Sequence, residues 1–294
     1  MGVFARSWEI TKLCLNVIKA DKEMMLFPLL GGLFSLIFLI AMVFPTIIVN
    51  IINNSGMSEI SQGLVYIIVF LTYLGLAFIA TFFNVCVVYT AKTRFEGGNA
   101  TFKDSISFAL SRIHLIFVWS LVSATVGLLL HILDRIAEKL GQGGKIILLI
   151  VRSILGMVWS IITIFVVPVM VYENIGPIQA IKRSVETLKK TWGESLVRAF
   201  GLGLVQMLFF ILGIVIGIII IILSVMTGSL FAIIIGISIV VIYFVLMILF
   251  FSVLNTIFNT ALYVYASKGK IPDGFSKEIL QNAFRSGKKN VNLK

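Results

Sequence analysis

Ile181-Lys182-Arg183-Ser184-Val185-Glu186-Thr187-Leu188-Lys189-Lys190-Thr191-Trp192 sets Ile181, Val185, Leu188 and Trp192 opposite Lys182, Arg183, Glu186, Lys189 and Lys190 on a helix. Apolar residues at helical spacing facing away from a charged side predict an amphipathic helix suited to lie along a membrane surface. The pattern is an apolar residue, Ser three positions on, then apolar or neutral residues at offsets four, seven and eleven, and it occurs twice more. The earlier copies are Phe4, Ser7, Trp8, Thr11 and Leu15, then Phe102, Ser105, Ile106, Ala109 and Ile113. Each copy precedes a hydrophobic hairpin, so the chain reads as one membrane unit written three times.

Working outward, 59% of the 294 residues are hydrophobic and only 13% are charged. No single water-soluble core hides that much apolar surface, and the bilayer must be part of the solvent. The long runs are continuous rather than alternating, which selects helices over a barrel. Six can be marked: Leu26–Ile52, Leu64–Ala91, Ile113–Leu133, Ile146–Tyr172, Leu196–Val225 and Leu230–Tyr265. Pro45 and Pro168 are expected near helix ends, with Pro168 able to kink the fourth span, and Asn255 and Asn259 mark a place where the last could bend or break.

The expected fold is therefore all-α, a polytopic membrane protein of six transmembrane helices in three parallel repeats of surface helix plus hairpin. One membrane domain covers 1–294, with repeats at 1–91, 99–172 and 177–266 and a cytoplasmic C-terminal helix and basic tail at 271–294. Repeats that all start on one side are related by an axis along the membrane normal, here a pseudo-threefold. The Asn84 and Tyr89 pair in the second span resembles Asn259 and Tyr265 in the sixth; duplication plus interfacial anchoring by Tyr accounts for this without a ligand.

Lys and Arg in short loops are retained in the cytoplasm, and 20 of the 24 basic residues fall on one side of this threading. They lie before the first span, between spans two and three and between four and five, and in the tail, so both termini are expected inside. Met1 to Glu23 is charged throughout and lacks the apolar core of a secretion signal. Its Arg6, Glu9, Lys12, Asn16 and Lys19 predict a second surface helix with Phe4, Trp8, Leu15 and Ile18 on the apolar face. Phe275 to Phe284 is a weaker case, entered through Pro272 and Asp273.

Tyr172-Glu173-Asn174-Ile175-Gly176-Pro177, followed by Ala180 to Ser184 and by Trp192-Gly193, resembles a group of uncharacterised prokaryotic multi-span proteins, a domain of unknown function. Arg6-Ser7-Trp8, Asp21-Lys22-Glu23 and Leu26-Phe27-Pro28-Leu29 are similar to the start of one such family. That group is distantly similar to the membrane domain found beside some glycerophosphodiester phosphodiesterase domains. The resemblance implies a six-helix fold in a prokaryotic cell membrane and transfers no catalytic residue.

The residues for catalysis do not assemble. His114 and His131 stand near opposite ends of the third span, Cys14 and Cys86 form no CxxC pair, and no phosphate loop or nucleophile elbow is present. No metal or other cofactor is expected. Cys14 reads as a small apolar contact, with acylation the alternative. Glu23 and Glu173 sit at span boundaries, where a salt bridge to a surface-helix Lys is the ordinary role. Arg152 lies some turns inside span four, where it would snorkel to a headgroup or, facing inward, bind an anion. Asn84, Asn255 and Asn259 are the other candidate intramembrane polar residues, and Gly213 and Gly217 are spaced for close helix packing.

The net charge of +11 is divided among short flanking segments without interleaved aromatics, which argues against nucleic acid and for anionic lipid. The reading is a non-enzymatic membrane protein whose basic cytoplasmic collar, with Lys182, Arg183, Lys189 and Lys190 as its lipid-surface residues, organises anionic lipid or docks a partner. A homo-oligomer is compatible with it. The alternative is a channel or lipid transporter with a polar site between repeats, and an intramembrane enzyme comes third.

Overall fold

A computed structural model describes residues 3–53, 62–192, 202–275 and 280. Ten α-helices follow in order: α1 Val3–Ala20, α2 Leu26–Asn53, α3 Gln62–Phe95, α4 Phe102–Ser111, α5 Ile113–Glu138, α6 Gln142–Ile162, α7 Val166–Glu173, α8 Pro177–Trp192, α9 Gly203–Met226 and α10 Leu230–Lys268. A 3-10 turn, Lys22–Met25, joins α1 to α2, and the described residues contain no strand. Arg198, Gly193 and most of the expected C-terminal helix and basic tail lie outside the described residues, as do the side chains of Arg6, Lys190 and Trp192.

Six stretches are long and apolar enough to cross a bilayer: Lys22–Phe44, Tyr66–Phe95, Ile113–Glu138, Gln142–Glu173, Gly203–Met226 and Leu230–Lys268. They overlap the six runs read from the sequence, residues 196–201 of the fifth lying outside the described residues. α2 continues through Pro45 to Asn53, so that proline is internal rather than terminal. The fourth span is broken. Pro168 has no N–H for the Ile164 carbonyl and its ring would strike it in a continuous helix. The chain accordingly leaves α6 at Ile162, passes through tighter turns in which Val166 N–H donates to Thr163 O, and re-enters a helix as α7. α10 is uninterrupted through Asn255 and Asn259 and stops at Gly269, whose φ of 64° suits a residue without a Cβ.

The chain forms two compact units. One comprises Met1–Pro28, Thr90–Asn99 and Lys189–Lys294. Here α9 and α10 make a hairpin turned at Thr227-Gly228-Ser229, with Gly228 at φ 66°, and α1 packs against both. Gly213 lies under the Tyr243 ring, Gly217 against Val240 and Gly236 against Ser224. This is the close approach expected from Gly213 and Gly217, and small residues permit it because lipid supplies no hydrophobic drive between helices. Much of the outward surface of the hairpin is exposed Ile, Leu, Val and Phe, which acyl chains can cover.

α1 packs on the protein through one stripe and leaves another outside. Ser7, Ile10, Thr11, Cys14, Val17 and Ile18 are buried, while Phe4 and Trp8 are 50% and 40% exposed. Small hydroxyl side chains let a helix sit close, and Thr11 Oγ1 satisfies itself by donating to Ser7 O at 2.8 Å. The last turn of α1 is tied to the end of α3 by Asp21, whose carboxylate receives two hydrogen bonds from Arg94, at 2.6 and 2.7 Å.

The second unit comprises Leu29–Tyr89 and Ala100–Leu188. In it α2 meets α3 through Phe34 stacked on Phe83 at 6.0 Å and through Phe38 against Gly75. α5 and α6 form a hairpin with Trp119 stacked on Trp159 at 5.9 Å. α4 starts with a reciprocal cap in which Asp104 N–H donates to Thr101 Oγ1 and Thr101 N–H to Asp104 Oδ2. Those bonds, led by the one from the Thr101 hydroxyl, hold the Asp104 carboxyl below the usual carboxylate range, so the cap is intact at neutral pH and lost as the pH falls through that lowered value.

Candidate functional site

The basic helix is positioned by a turn of the backbone at Asn174. α7 ends at Asn174 in the left-handed region, φ 54°, where its N–H donates to Met170 O, and Pro177 then starts α8 with a φ already suited to a first turn. α8 therefore starts in a new direction after the turn, and two contacts pin it to the segment before it. Ser184 Oγ accepts a hydrogen bond from Phe165 N–H at 3.3 Å, satisfying a buried donor at the break in span four. Arg183 Nε donates to Glu173 Oε1 at 3.0 Å, and its Nη1 to Glu186 Oε2 at 3.4 Å.

These pins divide the four candidate lipid-surface residues. Arg183 is engaged with two carboxylates, whereas Lys182 and Lys189, two turns apart on one face, are exposed. Lys190 is on the helix, with its side chain outside the described residues. Toward the protein the helix presents Ala180, Ser184, Thr187 and Leu188, all buried. Glu173 meets a surface-helix cation as expected, though an arginine rather than a lysine.

The intramembrane candidates are distributed. Arg152 on α6 lies against Asp134 near the end of α5, Nε to Oδ1 3.2 Å, at an angle short of a hydrogen bond. Nothing local in the sequence pairs Asp134 with Arg152; the register of the α5–α6 hairpin brings them together. His131, one turn before Asp134, sets its ring edge-on to Tyr73 of α3 at 6.3 Å. The Asn84 Oδ1 atom is buried without a hydrogen-bond partner. Asn255 and Asn259 are half-buried one turn apart on α10. No group of three metal-ligating side chains occurs among the described residues.

Cys14 and Cys86 are both buried and neither is in a disulfide, and burial pushes the Cys14 thiol far above its ordinary pKa. The thiolate is the reactive form, so neither cysteine of the folded protein is expected to react with a maleimide within minutes at neutral pH. Both should label once the protein is unfolded in dodecyl sulfate. Rapid labelling of the native protein at Cys14 would mean that α1 lies free of α9 and α10.

Described residues that form helices and no strand, with six apolar spanning segments of which the fourth is broken ahead of Pro168, have the architecture of a multi-pass membrane protein. Residues 63–274, from the start of α3 to just past α10, match the family of unknown function DUF6159, and the chain belongs to that family. No curated protein matches it.

Proposed function

We propose that this is a non-enzymatic, multi-pass protein of a prokaryotic cell membrane, with both termini in the cytoplasm and a basic collar that organises anionic lipid or docks a partner. The observation that carries the reading is the division on α8: Lys182 and Lys189 face outward while Arg183 is held back by Glu173. Exposed Phe4 and Trp8 on α1, with Lys12 Nζ 5.9 Å from the Trp8 ring centroid, suit the boundary between headgroups and acyl chains.

Three parallel repeats belong to the same proposal. In their favour, α1, α4 and α8 each precede a pair of spanning segments, and the repeat serines Ser7, Ser105 and Ser184 are all buried, as are Thr11, Ala109 and Leu188 four residues after them. The distant likeness to the membrane domain beside glycerophosphodiester phosphodiesterase domains is, on this reading, one of fold alone.

Lys182→Gln, Lys189→Gln and Lys190→Gln together are expected to lower retention of phosphatidylglycerol by about tenfold or more, since each cation near an anionic surface contributes roughly a fivefold factor at low salt. Insertion and fold should persist, because Arg183 and Glu173 are untouched. Unchanged phosphatidylglycerol retention in the purified triple variant would refute the lipid role. The second reading, a transport path, has the buried and unpaired Asn84 oxygen in its favour; solute flux through liposomes that vanishes in Asn84→Leu would establish it.

A further inference from the structure

The ion pair on the α5–α6 hairpin has unused capacity. Asp134 and Arg152 touch through one nitrogen and one oxygen, yet their side chains are 34% and 43% exposed. A guanidinium carries five N–H donors and a carboxylate about four acceptor sites, so most of both groups remains available without breaking the pair. On α6 the neighbours Ile147, Ile150, Val151, Ile154 and Leu155 are all exposed and apolar, while on α5 Arg135 and Glu138 pair with each other at 3.3 Å and so add no net charge. Two opposite charges thus stand together at the edge of a lipid-covered face.

A ligand carrying only a phosphate would gain Arg152 and be repelled by Asp134, and a simple cation would suffer the reverse. A zwitterion meets both with the right sign. The carboxylate further favours an ammonium with N–H donors over a quaternary one, which has none. We propose that Asp134 and Arg152 form a recognition site for a zwitterionic phospholipid headgroup with a primary ammonium, Arg152 taking the phosphate and Asp134 the ammonium. The site is separate from the basic helix and stands or falls independently of the collar.

Native mass spectrometry of the delipidated full-length protein in detergent, titrated with phosphatidylethanolamine, phosphatidylcholine and phosphatidylglycerol of identical acyl chains, tests it. Phosphatidylethanolamine is expected to bind about tenfold tighter than phosphatidylcholine, the effect of one charge-assisted hydrogen bond. Asp134→Asn should abolish that preference and strengthen rather than weaken phosphatidylglycerol binding, since the repelling carboxylate is gone, and Arg152→Gln should weaken both zwitterionic lipids. Asp134→Glu, which keeps the charge, should retain the preference, and thermal unfolding of each variant separates lost recognition from lost fold. Equal binding of the two zwitterionic lipids to the unaltered protein overturns the proposal, as does a preference that survives in folded Asp134→Asn. Loss of phosphatidylglycerol binding in the lysine variants bears on the collar alone.

Discussion

Arg94→Met is expected to remove about 2 to 3 kcal/mol of folding stability, because it strands a carboxylate that has almost no access to water. The Asp21 side chain is 6% exposed and its two oxygens are both bonded to Arg94, while Arg94 itself is 29% exposed and also reaches Asn99 Oδ1 at 2.9 Å and Ala20 O at 3.3 Å. The asymmetry of burial predicts an asymmetry of effect. Asp21→Asn leaves a guanidinium that can turn toward solvent and should be milder than Arg94→Met, which leaves a buried anion. Removing both charges in Asp21→Leu with Arg94→Met should recover most of the loss, since an apolar pair of similar volume avoids the desolvation of two ions. Reversible unfolding in mixed micelles over this double-mutant cycle measures it. A loss below about 0.5 kcal/mol for Arg94→Met would place the contact among solvent-screened surface bridges.

The same pair marks where sequence reading stops. Spanning segments were legible because each is a local property of its own residues, as was the close approach at Gly213 and Gly217. Asp21 and Arg94 are both visible as charges at span boundaries, yet nothing local says that they meet. Asp134 and Arg152 are likewise brought together only by hairpin register. The stripe α1 buries escaped for another reason: Ser7, Thr11 and Cys14 look polar or neutral by composition, but bury well because small side chains permit close contact and hydroxyls bond to their own helix. Phe4 and Trp8, the obvious apolar residues, are left outside. The basic residues of α8 were legible as a face, whereas the pairing of Arg183 with Glu173 follows from the left-handed turn at Asn174, a backbone feature no hydropathy pattern carries. The Thr101 and Asp104 cap did have a signal, a hydroxyl residue three positions before an acid at a helix start.

Gly213→Leu should be comparably severe, for a reason that involves no charge. A Cβ at this position would already collide with the Tyr243 ring, and that ring is not free to swing away, since its hydroxyl donates to Phe209 O at 2.9 Å. Four added carbons must therefore separate α9 from α10, taking with them the Gly217 contact to Val240 and the Gly236 contact to Ser224. Overpacking of this kind costs about 1 to 3 kcal/mol where the surroundings yield, and the loss of neighbouring van der Waals contacts puts the expected value near 3 kcal/mol. In lipid, helix association rests largely on such contacts, so little compensates for them. Tyr243→Ala opens the space that the leucine needs, and the double variant is expected to unfold closer to the unaltered protein than Gly213→Leu alone. Gly156→Ala on α6 is the matched control, because the nearest atom to its added methyl is Leu130 Cδ1 at 4.0 Å. If Gly213→Leu unfolds at the same denaturant concentration as Gly156→Ala, the α9–α10 hairpin is held by something other than the close approach of its backbones.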